Sequence, residues 1–192
     1  MPENELTLVA DVADHKYRQV NSLRKKDGSP RVAFDALQPL KEIQGLIKKR
    51  ILDRVLFPEY LTGSLKGRDA IKNASIHIGS SIIICEDIAN FFPSTSSNIV
   101  YDIWKNFFKF SPSVSSLLTR LTTKDGSLPQ GARTSAHLAN LAFWRVEHEL
   151  VCTFKNAGLN YSRYVDDISV SSLKNINNEK IYKEDIFNMI IY

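Results

Sequence analysis

The order of predicted elements puts this chain in the α+β class, with strands pairing antiparallel. Three observations lead there. Short β-rich or alternating runs at 81–87 and on both sides of Asp166-Asp167 read as strands. Helical patterns fill 38–56, 96–109, 112–122, 134–155 and 178–191. The two kinds of element come in mixed order instead of repeating βα units.

Composition bounds the rest. A chain of 192 residues, 43% hydrophobic and 24% charged, can bury a real core as one domain or as one domain with a subdivision. No apolar run approaches the ~20 residues that span a bilayer. The N-terminal stretch "MPENELTLVADVADHK" is acidic and lacks a basic-then-apolar signal, so a cytoplasmic protein without membrane attachment is expected. Cys85 and Cys152 are the only cysteines, too few for a disulfide framework or a zinc cluster, and are expected as buried free thiols.

Along the chain, "RKKDGSPR" (24–31) reads as a turn with Asp27-Gly28 at its tightest point. "VAFDA" is extended. In the helix near 38–56, Leu40, Ile43, Ile47, Ile51 and Val55 share one face, and Lys41, Lys48, Lys49 and Arg54 lie elsewhere. Gly63 and Gly67 bracket a flexible basic loop, "GSLKGRD". Pro93 closes the segment after strand 81–87, and "KDGSLPQG" (124–131) is a loop. A single long helix is predicted from Thr134 to Lys155.

Charge is unevenly spread. Lys16 to Lys72 holds 14 Lys/Arg against 6 Asp/Glu, and the remainder has a net acidic balance. A basic half ahead of a locally acidic half suits a polyanion held beside a carboxylate centre. The same charges also suit an ordinary solvated helix face.

"NYSRYVDDISVSS" (160–172) carries two adjacent carboxylates where a hairpin should reverse. Asp is common in turns, and hard divalent ions are held by carboxylate oxygens; the stretch alone fits both. Asp87, at the end of an apolar strand, lies on the face of Ile83 and Cys85, with Glu86 on the other. A cap for the next segment is one use of it. Brought beside Asp166 it would complete a cluster of three carboxylates, whose repulsion calls for divalent cations. Mg²⁺ takes one or two carboxylates plus substrate phosphates, which makes phosphoryl transfer the natural chemistry.

"CEDIANFFPS", "LPQGARTSAHLAN" and "YVDD" resemble the three palm motifs of reverse transcriptases, in the right order. "LRKKDGSPR" resembles that family's fingers loop, and "LKEIQGLIKKRIL" the helix after it. "GRDAIKNASIHIG" is similar to the Asn-Ala-x-x-His segment of bacterial retron-type enzymes. The resemblance covers residues 17 to 172.

It implies a fingers–palm fold: an antiparallel palm sheet packed on helices, with residues 1–80 as N-terminal segment and fingers and 81–192 as palm. It implies an RNA-directed DNA polymerase that adds dNTPs to a primer 3′-hydroxyl, with an RNA template, a DNA product, a role in phage defence and an effector protein as partner. Two Mg²⁺ ions, or Mn²⁺ in their place, are the implied cofactors. By the same resemblance, Asp87, Asp166 and the Ile88 carbonyl hold the metals, and Asp167 supports the site electrostatically. Phe92 lies under the incoming sugar, where a ring would clash with a 2′-hydroxyl. Gln130 and Gly131 line the nucleotide pocket. Arg31, with Lys25 or Lys26, clamps the triphosphate. From the charge asymmetry, and not from the resemblance, Lys66 and Arg68 are expected to meet nucleic acid.

Phe91 is expected in the core and His77 as a structural hydrogen-bonder. Glu86 departs from the family, which has an apolar residue before the first aspartate. Arg133 and Ala136 stand where retron-type enzymes often have prolines. The family also continues past the hairpin into a primer-gripping hairpin and a helical thumb, so the expectation is a palm that ends before the thumb. Untemplated or protein-primed DNA synthesis is the alternative activity, and a catalytically silent RNA-binding module the alternative of another class.

Overall fold

The computed structural model describes residues 2–20, 32–174 and 179–191. In chain order the elements are α1 (Glu3–Asp11), β1 (Tyr17–Val20), β2 (Ala33–Ala36), α2 (Leu40–Arg50), α3 (Ala70–Ser75), β3 (Ile82–Asp87), α4 (Phe91–Ser94), α5 (Ser97–Asp102), α6 (Pro112–Thr122), α7 (Ser135–Asn140), α8 (Glu147–Asn156), β4 (Leu159–Tyr164), β5 (Asp167–Ser172) and α9 (Glu179–Ile191). Helices and antiparallel strands mix as the element order predicts. No helix among the described residues is long and apolar enough to cross a membrane.

The elements form two compact units, each built from two stretches of chain. One takes 1–55 and 90–142, the other 56–89 and 143–192. In the first, β1 and β2 form an antiparallel pair with Tyr17 opposite Ala36. Helix α2 buries Leu40, Ile43 and Ile47, the stripe that its spacing of three and four predicts. The helix ends at Arg50, short of the predicted 56, and Leu52–Arg54 tightens into a 3₁₀ turn. Gln44 is fully buried and donates to the Tyr17 hydroxyl (2.7 Å) and the Leu121 carbonyl (2.9 Å). Burial lifts the Tyr17 phenol to about 12.

Ser96 and Ser111 cap α5 and α6, accepting from Ile99 and Val114, and Pro112 opens α6 where its missing N–H costs nothing. After α5 the chain widens into a π turn over Ile103–Phe107, which buries Trp104 against Phe108. Pro93 follows the aromatic pair within the single-turn α4, which ends one residue later at Ser94. The helix predicted over 134–155 is two helices, α7 and α8. The turns of 141–146 between them carry the chain from one unit to the other.

The second unit is organised by a three-stranded antiparallel sheet in the order β3-β5-β4. Ile84 and Tyr161 both face Val170 in register, and Glu86 and Arg163 both face Ile168. That face is covered: Ile84, Ile168, Val170, Leu159 and Tyr161 are buried, as are Phe154 of α8 and Ile186 and Met189 of α9. Phe154 meets Tyr161 and Tyr182 with ring centroids 6.1 and 5.8 Å apart.

Candidate active site

Strand alternation assigns the opposite face of this sheet to Ile83, Cys85 and Asp87 of β3, Asp167, Ser169 and Ser171 of β5, and Ser162 and Tyr164 of β4. The two ends of that face differ. At one end His77 lies over the sheet, its Nδ1 2.7 Å from the Ser171 hydroxyl and its Nε2 2.7 Å from that of Ser162. A neutral imidazole donates at one nitrogen and accepts at the other, and each serine hydroxyl can answer either role. Burial holds the His77 pKa below the usual histidine value, which keeps it neutral. In the same segment Asn73 accepts from the Thr62 hydroxyl at 2.6 Å. His77 is thus the structural residue the sequence reading expects.

At the other end the face is open. Asp87 stands directly opposite Asp167 in the β3–β5 ladder, and the Ile88 amide donates to the Asp166 carbonyl at 3.0 Å. Asp87 and Asp167 are exposed and Asp166 half-buried. Asp87 therefore does not end a buried strand: β3 is covered on its Ile84 face and exposed on its Ile83, Cys85 and Asp87 face. Cys85 is exposed for this reason, and Cys152 is exposed on α8, so neither is the buried thiol predicted from composition. Glu86 points to the covered side, where its carboxylate pairs with Lys183 of α9 at 2.8 Å. That pairing is a local reason for a charge where the resemblance leads one to expect an apolar residue.

The hairpin that presents Asp166 is strained and firmly held. Val165, first of the two turn residues, has φ +63°, a genuine outlier for a β-branched side chain. Such a conformation costs about 1–3 kcal/mol and persists only where the surroundings over-determine it. Gly63 supplies one constraint, because a Cβ there would lie 2.4 Å from the Val165 nitrogen. The loop it opens is therefore packed at Gly63, which the reading of "GSLKGRD" as a flexible loop misses.

Arg163 supplies the others. Its amide donates to the Tyr60 carbonyl and its carbonyl accepts from the Thr62 amide, at 2.8 and 2.9 Å. Its guanidinium, fully buried, donates to both Glu147 carboxylate oxygens (2.6 and 2.9 Å) and to the Val165 carbonyl (2.8 Å). The Tyr161 hydroxyl also donates to Glu147, at 2.8 Å. Burial opposes the Arg163 charge, but the Glu147 carboxylate outweighs it and raises the guanidinium pKa. Sequence reasoning missed this network. An arginine flanked by Ser and Tyr in a short strand looks like a solvent-facing position. Its partner lies 16 residues back, inside what reads as the middle of one long helix.

The remaining predicted residues are distributed as follows. Lys25, Lys26 and Arg31 lie outside the described residues. In the first unit Phe91 is core, and Phe92 beside it is half-buried, with centroids 6.0 Å apart. The Gln130 carbonyl accepts from the Phe34 amide at 2.7 Å. Gly131 has φ +101°, and a Cβ there would lie 2.9 Å from the Phe34 carbonyl oxygen, so only glycine fits. Lys66 is exposed in its loop. Arg68 is not: its guanidinium donates to the Phe57, Pro58 and Leu61 carbonyls and pairs with Glu59. Those donors are spent within the loop, which makes Arg68 a loop anchor in place of a phosphate contact. Other basic residues are likewise engaged locally, Lys41 and Arg18 with Asp35 and Lys48 with Asp53.

The open end of the sheet suits a hard divalent cation. Its donors are carboxylate oxygens, ligands that Mg²⁺ prefers. Among the described residues no group of three or more His, Cys, Asp or Glu side chains is already gathered as a ligand set. Mg²⁺ needs no such cage, since it takes one or two carboxylates and completes its shell with water and substrate phosphates.

Comparison with known proteins gives the family. Residues 23–188 match the family model described as reverse transcriptase (RNA-dependent DNA polymerase). The chain is 42% identical over 164 residues to the retron Se72 reverse transcriptase of Salmonella heidelberg (strain 579083-10), covering 85% of this chain and 43% of the relative. It is 31% identical to two Escherichia coli proteins, the retron Ec48 and retron Ec86 reverse transcriptases, covering 88% and 87% of this chain and 44% and 52% of theirs. The chain spans about half the length of these relatives. It belongs to the reverse transcriptase family and is of the retron type.

Proposed function

We propose that this chain carries the catalytic centre of an RNA-directed DNA polymerase that extends a primer 3′-hydroxyl with dNTPs. The observation that carries the reading is the placement of Asp87 opposite Asp167, with Asp166 in the adjoining turn, at the open end of one sheet. In this reading residues 81–192 form the palm and 1–80 the N-terminal segment and fingers. Asp87 and Asp166, with the Ile88 carbonyl, would hold two Mg²⁺ ions, or Mn²⁺, and Asp167 would add negative potential. When bound, such ions stabilise the attacking and leaving oxygens of an in-line displacement.

The other residues position substrate. Phe92 excludes a 2′-hydroxyl and so favours dNTPs. Gln130 and Gly131 border the nucleotide, and Lys25, Lys26 and Arg31 hold its triphosphate. Lys66 meets nucleic-acid phosphate while Arg68 shapes its loop. A cytoplasmic setting, a role in phage defence and an effector protein as partner complete the proposal, carried over from the resemblance of the motifs to retron-type enzymes.

Extension of a DNA primer on an RNA template tests it. Asp166→Asn should lower the rate by about 10²–10³-fold, the scale on which preorganised charge acts at a reacting centre. Undiminished extension by a folded Asp166→Asn protein would remove Asp166 from catalysis.

A further inference from the structure

We infer that Arg163 is a positioning residue for the metal-binding carboxylates, acting through the backbone of the turn; this rests on the reading of Asp87 and Asp166 as metal ligands. Three features meet at one carbonyl. Val165 occupies a conformation that a β-branched residue avoids, so the turn will not hold its shape unaided. The Val165 carbonyl, one peptide before Asp166, accepts from Arg163 Nη1 at 2.8 Å. The rest of that guanidinium is fixed by the bidentate pair with Glu147, which Tyr161 also holds, and it lies 5.3 Å from the Phe143 ring centroid.

A planar fork with donors in fixed directions can bond both oxygens of a carboxylate and still present a third N–H to the turn. A lysine ammonium cannot do this from the same position. The pair is anchored on α8, so the helix sets where the turn carbonyl lies and, through it, where the Asp166 side chain starts. The Ile88 amide fixes the other side of the same residue by donating to the Asp166 carbonyl.

The test separates positioning from stability. Arg163→Met leaves Glu147 buried without its partner and can fail to fold for that reason alone. The double variant Arg163→Met, Glu147→Leu removes both charges and regains stability, yet leaves the turn carbonyl without its donor. Mn²⁺ binding by the 192-residue chain is measured by electron paramagnetic resonance, beside Asp166→Asn and thermal unfolding. The double variant should unfold cooperatively yet bind Mn²⁺ at least about tenfold more weakly, as happens when the groups that orient metal ligands are lost. A folded double variant that binds within about twofold of the unaltered chain would overturn the inference.

Amide hydrogen exchange across 165–168 gives an independent answer. Faster exchange in the double variant by about tenfold or more supports the anchoring role, and unchanged exchange refutes it. If the unaltered chain binds Mn²⁺ no better than Asp166→Asn does, the metal reading fails, and the exchange result alone decides the role of Arg163.

Discussion

On the covered face of the β3–β5–β4 sheet, Arg163 is enclosed and fully matched, with Glu147 on two of its donors and a turn carbonyl on a third. On the open face, one position along the same strands, Asp87 and Asp167 are set opposite one another with like charge. A buried charge without a partner costs several kcal/mol, so the covered face must balance its charges internally. On the open face water solvates Asp87, so its charge costs little and a cation can still reach it. The covered side completes its own electrostatics, whereas the open side keeps Asp87 accessible to a ligand.

The largest expected effect breaks the covered side. Arg163→Met should destabilise by about 3–5 kcal/mol, because Glu147 is then buried alone, and Glu147→Leu added to it should restore most of that loss. Chemical denaturation of the two variants checks it. If the single and double variants are equally stable, the ion pair is not the internally balanced system described.

His77 comes next, at the closed end of the open face. His77→Ala leaves the Ser162 and Ser171 hydroxyls short of a partner, a loss of about 1–3 kcal/mol. It should also change the pH dependence. The folded-state pKa of His77 is lowered by burial. Its contribution is therefore present above the unfolded value of about 6.5 and is lost as pH falls below it toward the folded value. His137 has the same sign, lowered by burial and then by Lys48. The thermal midpoint should thus drop as pH falls below about 6.5, and less steeply in His77→Ala. An equal slope in the two proteins would refute the role given to His77.

Legibility in the sequence followed how local each cause is. The carboxylates were readable because strand alternation and a turn need only a few neighbouring residues, and Asp87 and Asp167 do share a face at the end of paired strands. The α2 stripe was readable for the same reason. Arg163, Gly63 and Cys85 were not, because each depends on which segment lies over it. Arg163 is enclosed by Tyr60, Thr62 and Glu147, from two distant parts of the chain. Gly63 looks like loop flexibility until the Val165 backbone is seen against it. Cys85 is apolar enough for a core but falls on the open side. The break at 141–146 was hidden because "LAFWRV" is compatible with a continuous helix.

Smaller effects sharpen the open side. Like charges directly opposite in a sheet are destabilising, so Asp87→Asn should raise the stability of the cation-free chain by about 0.2–1 kcal/mol. Added Mg²⁺ should stabilise the unaltered chain and not this variant. A loss of stability in cation-free Asp87→Asn would show that the carboxylate is matched from within the chain. Smallest is Lys66→Ala, which should flatten the dependence of log affinity for nucleic acid on log salt by about 0.7–0.9. An unchanged slope would make Lys66 a solvated side chain.

Anomalous scattering from crystals grown with Mn²⁺ and a dNTP locates the cation relative to the Asp87 and Asp166 carboxylates. A peak is expected within bonding distance of the Asp87 and Asp166 carboxylates, on the open face of the sheet. Ordered Asp87 and Asp166 side chains with no such peak, or a peak ligated by other residues, would contradict their reading as metal ligands.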